Sequence, residues 1–139
     1  MKKQLDQLET FQVAFNSEIN YKPTNIKEEV YELRHKLLEE ENREYLEACK
    51  ENDLVEIADA LGDQLYIVLG TIVSHGLQNI IKEVFEEIHN SNMSKLDNNG
   101  KPIINGENGA FDYDRPLGKV LKSKNYKAPN ISKILKIKQ

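Results

Sequence analysis

Glu56-Ile57-Ala58-Asp59-Ala60-Leu61-Gly62-Asp63-Gln64-Leu65-Tyr66-Ile67-Val68-Leu69-Gly70-Thr71-Ile72 is the stretch that decides how this chain folds. At about 100° per residue, Glu56, Asp59 and Asp63 share one face of a helix. The opposite face carries Ile57, Ala58, Leu61, Leu65, Val68, Leu69 and Ile72. One turn past Asp63 the acidic face itself turns to Tyr66, Ile67 and Gly70, so the second half is apolar nearly all round and should be buried on both sides. Asp63 therefore borders buried territory. Glu56 has a second explanation, as the capping-box partner of Asp53. Asp59 and Asp63 have none.

The segment before it repeats the pattern. Val30, Leu33, Leu37 and Ala48 recur on one helical stripe, and Glu41 and Glu44 lie on that stripe with Glu40 at its edge. Glu39 points the other way. A carboxylate on a core-facing stripe is costly unless it is protonated, paired or bound to a metal. The bland alternative is a helix that projects past its neighbours and leaves these glutamates wet. Two antiparallel helices joined by the short Asn52-Asp53 turn would bring the two acidic faces together. Hard oxygen donors without histidine or cysteine select Mg²⁺ or Mn²⁺. A di-iron bundle would need Glu-x-x-His on two helices, whereas Glu32-His35 and Glu86-His89 each stand alone and off the cluster. Divalent ions in a carboxylate nest suit phosphoryl chemistry.

Outward from these two helices, Leu5, Leu8, Phe11 and Phe15 mark an amphipathic helix over 3–17, ended by Tyr21-Lys22-Pro23. Asn25 with Glu28 reads as a capping box opening the long second helix, which runs to about Lys50. The acidic third helix should stop at Gly76. Leu77, Ile80, Ile81, Val84, Phe85 and Ile88 mark a fourth helix ending near Met93. From Asp97 to Asp114 glycine and asparagine replace helical periodicity, which predicts loop or a short hairpin around Lys101-Pro102-Ile103-Ile104. Ile131, Ile134 and Leu135 suggest one last short helix. The expectation is an all-α chain: a four-to-five-helix bundle over 1–95 and an irregular, mobile basic tail over 96–139, together one domain.

The 139 residues carry a net charge of −4, with 39% hydrophobic and 30% charged residues, values that suit one soluble domain. That net charge hides a division. Residues 27–63 hold 5 Lys/Arg against 13 Asp/Glu, and residues 95–139 hold 10 against 4. Mutual neutralisation is one reading. The other is a divalent-metal site in the acidic part, with phosphate-binding lysines supplied by the tail. The longest apolar run, Leu65 to Val73, is short of the roughly 20 residues that span a bilayer. With no apolar stretch behind Lys2-Lys3 and a single cysteine, Cys49, the expected setting is cytoplasmic, without disulfide, cysteine-rich zinc site or membrane partner.

Glu40-Glu41-x-x-Glu44, followed by an acidic helix ending Asp59-Ala60-Leu61-Gly62-Asp63-Gln64-Leu65-Tyr66, resembles the all-α nucleoside triphosphate pyrophosphohydrolases: MazG-type enzymes, dimeric dUTPases and phosphoribosyl-ATP pyrophosphohydrolases. His89-Asn90-Ser91-Asn92-Met93-Ser94-Lys95 resembles a compact bacterial and phage branch, and the likeness spans roughly residues 27–127. It implies a MazG-like fold and Mg²⁺-dependent hydrolysis of a (deoxy)nucleoside triphosphate to monophosphate and pyrophosphate in a helical dimer or tetramer. The usual second motif is Glu-x-x-Asp directly before Leu-Tyr. If Asp63 is that Asp, Ala60 holds the Glu position and Asp59 substitutes; if Glu56-Ile57-Ala58-Asp59 is the motif, Asp63 is an extra carboxylate. The expected metal ligands are Glu41, Glu44, Asp59 and Asp63, then Glu40 and Glu56. Glu40 and Glu41 are the catalytic candidates, Glu40 as a ligand or as a base drawing a proton from water.

The fourth-helix stripe continues to Asn92, which brings an amide inward with Lys95 close behind. By resemblance, Asn92 and Lys95 contact nucleotide or phosphate; a helix C-terminus stopped by Asn is the alternative. Lys119 and Lys122, in the tail segment 115–127, would fold over a triphosphate, or belong to a solvated tail. Tyr66 would stack on a base or serve the core or a subunit interface. His35, His75 and His89 read as surface or helix-end residues and Cys49 as a small buried one. Phosphoribosyl-ATP hydrolysis is a second reading, against which the long tail argues. A non-catalytic nucleic-acid-binding module explains Lys119 to Lys127 but not the carboxylates on core stripes. The two-sided apolar helices predict a homodimer at least.

Overall fold

A two-residue reversal sets the geometry of the acidic segments. In the computed structural model, which describes residues 1–136, helix α2 spans Glu28–Glu51 and α3 spans Leu54–Ser74. Asn52 takes a left-handed conformation (φ 57°) and the Asp53 amide returns to the Ala48 carbonyl, closing α2. Asp53 Oδ1 then accepts from the Val55 and Glu56 amides at 2.9 and 3.2 Å, opening α3. With no room for a longer connection, α2 folds back along α3. Asn25 plays no part in starting α2: the residue before its first turn is Lys27, with no side-chain cap.

The chain forms two compact units, Met1–Ile81 and Lys82–Gln139. In the first, α1 (Lys2–Ala14) packs on α3 through Leu5, Leu8, Leu69 and Val73. The fully buried Gln12 donates from Nε2 to Ser74 Oγ at 2.9 Å and to the Gly70 carbonyl at 3.2 Å. A Cβ at Gly70 would stand 3.2 Å from Arg34 Nη1, so glycine lets the α2 guanidinium lie against α3. Segment 17–24 crosses the end of α3, where Asn20 N donates to Val73 O and Thr24 N to His75 O. His75 Nδ1 meets the Thr24 carbonyl at 2.9 Å, while His35 and His89 are exposed. Cys49 is half-buried rather than buried.

Which side of α3 faces inward differs from the expectation of burial on both. The acidic stripe is the one that continues into the chain's own core, at Ala60, Ile67, Gly70 and Ser74. The apolar stripe opposite is divided: Leu54 is 77% and Leu65 57% exposed, with Leu61 and Val68 also open, whereas Leu69 at its edge is buried against α1 and Ile72 packs beside it. By length and composition alone, with a mean hydropathy of 1.3, α3 is the one described helix able to cross a membrane; it packs instead between α1 and α2 and carries Glu56, Asp59 and Asp63.

All of α4 (Ile81–Met93) but its first residue belongs to the second unit; the helix starts four residues later than the periodicity suggests because Leu77 to Ile80 form a turn. Short α5 spans Ile131–Ile134, where the terminal helix was expected; residues 137–139 of that reading lie outside the described residues. Segment 96–130 is irregular, as read, but closely knit. Ile103-Ile104 make no local hairpin. Ile104 instead forms an isolated antiparallel bridge with Val120, sixteen residues on. Ser91 Oγ donates to the Lys127 carbonyl at 2.8 Å, and Ser123 Oγ to the Leu96 carbonyl at 2.8 Å, fastening the segment to α4 and its C-terminal extension. No strand occurs among the described residues, and the five helices there make the chain all-α.

Asn105, 1% exposed, is the hub of this segment. Its Nδ2 donates to the carbonyls of Asp112, Arg115 and Pro116 at 2.9, 2.8 and 3.2 Å, and its Oδ1 accepts from the Asp112 amide at 2.7 Å. Removing it takes the side-chain partner from partly buried backbone groups of Asp112, Arg115 and Pro116. Asn105→Ala is expected to destabilise the segment by about 3 kcal/mol, read as faster amide hydrogen exchange at Asp112, Gly118 and Leu121.

Candidate functional site

The reversal at Asn52-Asp53 brings carboxylates of α2 and α3 into one electrostatic neighbourhood centred on Glu41. Gln64 Nε2 donates to the Glu41 carbonyl at 3.3 Å, fixing the register of the two helices there. Burial, first, and then the charges of Glu44, Asp63, Glu40 and Asp59 hold the Glu41 carboxyl above the ordinary carboxylate range. Its Oε2 is buried and has no hydrogen-bond partner. An ionised oxygen of that kind is stable only beside a positive charge or a proton. Glu44, Asp59, Asp63 and Glu40 are exposed around it. Glu56 is absent from the charges that act on Glu41, and its amide is held by the Asp53 cap.

Among the described residues no three His, Cys, Asp or Glu side chains are gathered, as placed, into a group able to hold an ion. The donor chemistry nonetheless fits a hard divalent cation. Five carboxylates converge electrostatically, that of Glu41 with an orphaned buried oxygen, and no histidine or cysteine is among them.

The second unit contains a cleft of about 790 Å³. Four residues singled out in the sequence line it: Asn92, Lys95, Lys119 and Lys122. Asn92 does not follow the apolar face inward as expected. It is exposed and accepts from Lys95 Nζ at 2.7 Å, while its neighbour Ser91 is the buried residue. Lys122 Nζ lies 4.3 Å from the centre of the Tyr126 ring. Asn105 carries Lys119 into place, since its amide donates to the Lys119 carbonyl at 2.9 Å and its own carbonyl accepts from Gly118. Sequence reading missed Asn105, Phe111 and Tyr113; the mixture of glycine with an isolated aromatic pair was the available signal. Tyr66 lies in the first unit, edge-on to Phe11 with ring centres 5.5 Å apart.

No curated protein matches the chain significantly. The family model described as phosphoribosyl-ATP pyrophosphohydrolase matches residues 8–92, more than half of the chain and all of the carboxylates gathered around Glu41. The match marks a pyrophosphohydrolase acting on phosphoanhydride bonds, in a family whose members typically depend on a divalent metal. With α2 and α3 placed as they are, and the match running through both, the chain belongs to the phosphoribosyl-ATP pyrophosphohydrolase family, within the all-α nucleoside triphosphate pyrophosphohydrolases.

Proposed function

We propose that this protein hydrolyses a (deoxy)nucleoside triphosphate to the monophosphate and pyrophosphate with Mg²⁺, as a homo-oligomer in which nucleotide pools are kept in order. The observation that carries this reading is the orphaned Glu41 oxygen among the charges of Glu40, Glu44, Asp59 and Asp63. Glu41, Glu44, Asp59 and Asp63 would hold Mg²⁺, and Mn²⁺ suits the same donors. Such an ion, when bound, neutralises phosphate oxygens and lowers the pKa of water. Glu40, exposed at the edge of the cluster, takes the proton of the attacking water. Asn92, Lys95, Lys119 and Lys122 hold phosphate oxygens in their cleft. Tyr66 and Glu56 have weaker claims: the one is packed against Phe11 and the other sits in a helix cap. The outward stripe of Leu54, Leu61, Leu65 and Val68 supports self-association.

The family match favours a second reading, phosphoribosyl-ATP as substrate, with the same pyrophosphate leaving group. The test is pyrophosphate release from a panel of dNTPs, NTPs and phosphoribosyl-ATP, with Mg²⁺ and then with EDTA. Release from dNTPs that EDTA abolishes supports the first reading. Release confined to phosphoribosyl-ATP supports the second, and no release from any of them overturns both. In Glu40→Gln, kcat is expected to fall by about a hundredfold or more with KM little changed. A kcat close to that of the parent would remove Glu40 from the base role.

A further inference from the structure

The cleft of the second unit is larger than a phosphate chain needs and is not lined by cations alone. Phe111 and Tyr113 stand side by side on it, ring centres 4.6 Å apart and tilted by 53°. Tyr113 is 91% and Phe111 55% exposed, so neither ring owes its place to packing. Lys95, Lys119 and Lys122 line the same cleft, and none has an acidic partner in an ion pair among the described residues. Arg115 faces Asp112 at 4.0 Å. A cleft of about 790 Å³ lies within the size range of small-molecule sites. Unpaired cations ask for an anion, and adjacent open rings ask for a flat π-system. A nucleotide supplies both in one molecule.

We propose that Phe111 and Tyr113 form the base platform of this cleft, stacking on the nucleobase of a mononucleotide whose phosphates lie on Lys95, Lys119 and Lys122. This rests on the reading of the cleft as the phosphate site. Because every base presents a π-face, the platform gives affinity with little base selectivity. The chemistry is shared by a free nucleotide and by one within a single strand; a volume in the range of small-molecule sites favours the free one.

Binding of dATP, dTTP, inorganic tripolyphosphate and a twenty-nucleotide dT oligomer to the full chain, in EDTA, tests this by calorimetry. dATP is expected to bind about tenfold more tightly than tripolyphosphate, with dTTP close behind. Tyr113→Ala should remove most of that advantage and leave tripolyphosphate binding unchanged, and Tyr113→Phe should restore it. Lys119→Ala should weaken dATP and tripolyphosphate alike. Equal affinity of dATP and tripolyphosphate in the parent overturns the base platform, as does an advantage that survives in both Tyr113→Ala and Phe111→Ala. An oligomer that binds far more tightly than dATP, with steep salt dependence, overturns the mononucleotide. If Lys119→Ala changes neither ligand, or neither ligand binds, the phosphate reading falls and the platform with it.

Discussion

Glu41→Gln is expected to lower pyrophosphate release by more than about a hundredfold, yet to leave the metal-free protein melting higher at pH 7 than the parent. Loss of an outer partner of a metal ligand already costs about 10- to 100-fold, and Glu41 stands at the centre of the cluster. The gain in stability follows from the direction of its shift. Its folded pKa lies above the ordinary 4.5. Well below that value the carboxyl is protonated whether the chain is folded or not, and full stability is present. As pH rises through 4.5 toward the raised folded value the unfolded chain ionises first, and stability is lost across that interval. At pH 7, above the ordinary value, that cost is present, and glutamine keeps the shape with no charge to bury. Thermal melts at pH 4 and pH 7, each with EDTA and with Mg²⁺, check this. The variant should exceed the parent only at pH 7, and Mg²⁺ should raise the midpoint of the parent alone. A variant melting lower than the parent at pH 7 would mean that Glu41 is structural.

Leu65→Glu is expected to turn the proposed oligomer into a monomer of 16.0 kDa by sedimentation equilibrium. Leu54, Leu61, Leu65 and Val68 lie along one side of α3, all exposed, away from the acidic side that turns into the core. Apolar area withdrawn from water stabilises by about 25 cal/mol per Å², and an unpaired carboxylate in the middle of such a patch reverses the sign. Because Leu65 packs so little within its own chain, circular dichroism should show the helices retained. A parent protein that already sediments as a monomer would overturn self-association, and an unchanged mass in the variant would move the interface elsewhere.

Much of this architecture is legible in periodicity. The four long helices, the Asp53 cap, the end of α3 before Gly76 and the meeting of Glu41 with Asp59 and Asp63 all follow from spacing along the chain. Periodicity marks two unlike faces on α3, but not which of them turns inward. The apolar face is the natural guess for a core. Here the small residues Ala60 and Gly70 on the acidic side let neighbouring helices approach, and that decides the matter. The Asn25 cap failed because α2 begins at Glu28 without needing a side chain. Beyond Met93 the structure depends on bonds to backbone atoms seven to thirty-six residues away. Asn105 and the Ile104–Val120 bridge leave no periodic trace, so no reading of spacing could find them.

The bonds of Asn105 have an evolutionary corollary. Every one its carboxamide makes goes to a main-chain atom, and so do those that Ser91 and Ser123 donate. The loop is therefore held by groups that all amino acids share, while the side chains it displays, Phe111, Tyr113, Arg115 and Lys119, are almost uncommitted to keeping its shape. Descendants could exchange those four residues and inherit the same frame, much as recognition loops diversify on a constant scaffold. On the function proposed above, substrate affinity can then drift at the displayed positions, while the reaction assigned to Glu41 and its neighbours stays where it is. Randomising positions 111, 113, 115 and 119 in an otherwise unaltered chain is the direct way to watch that happen.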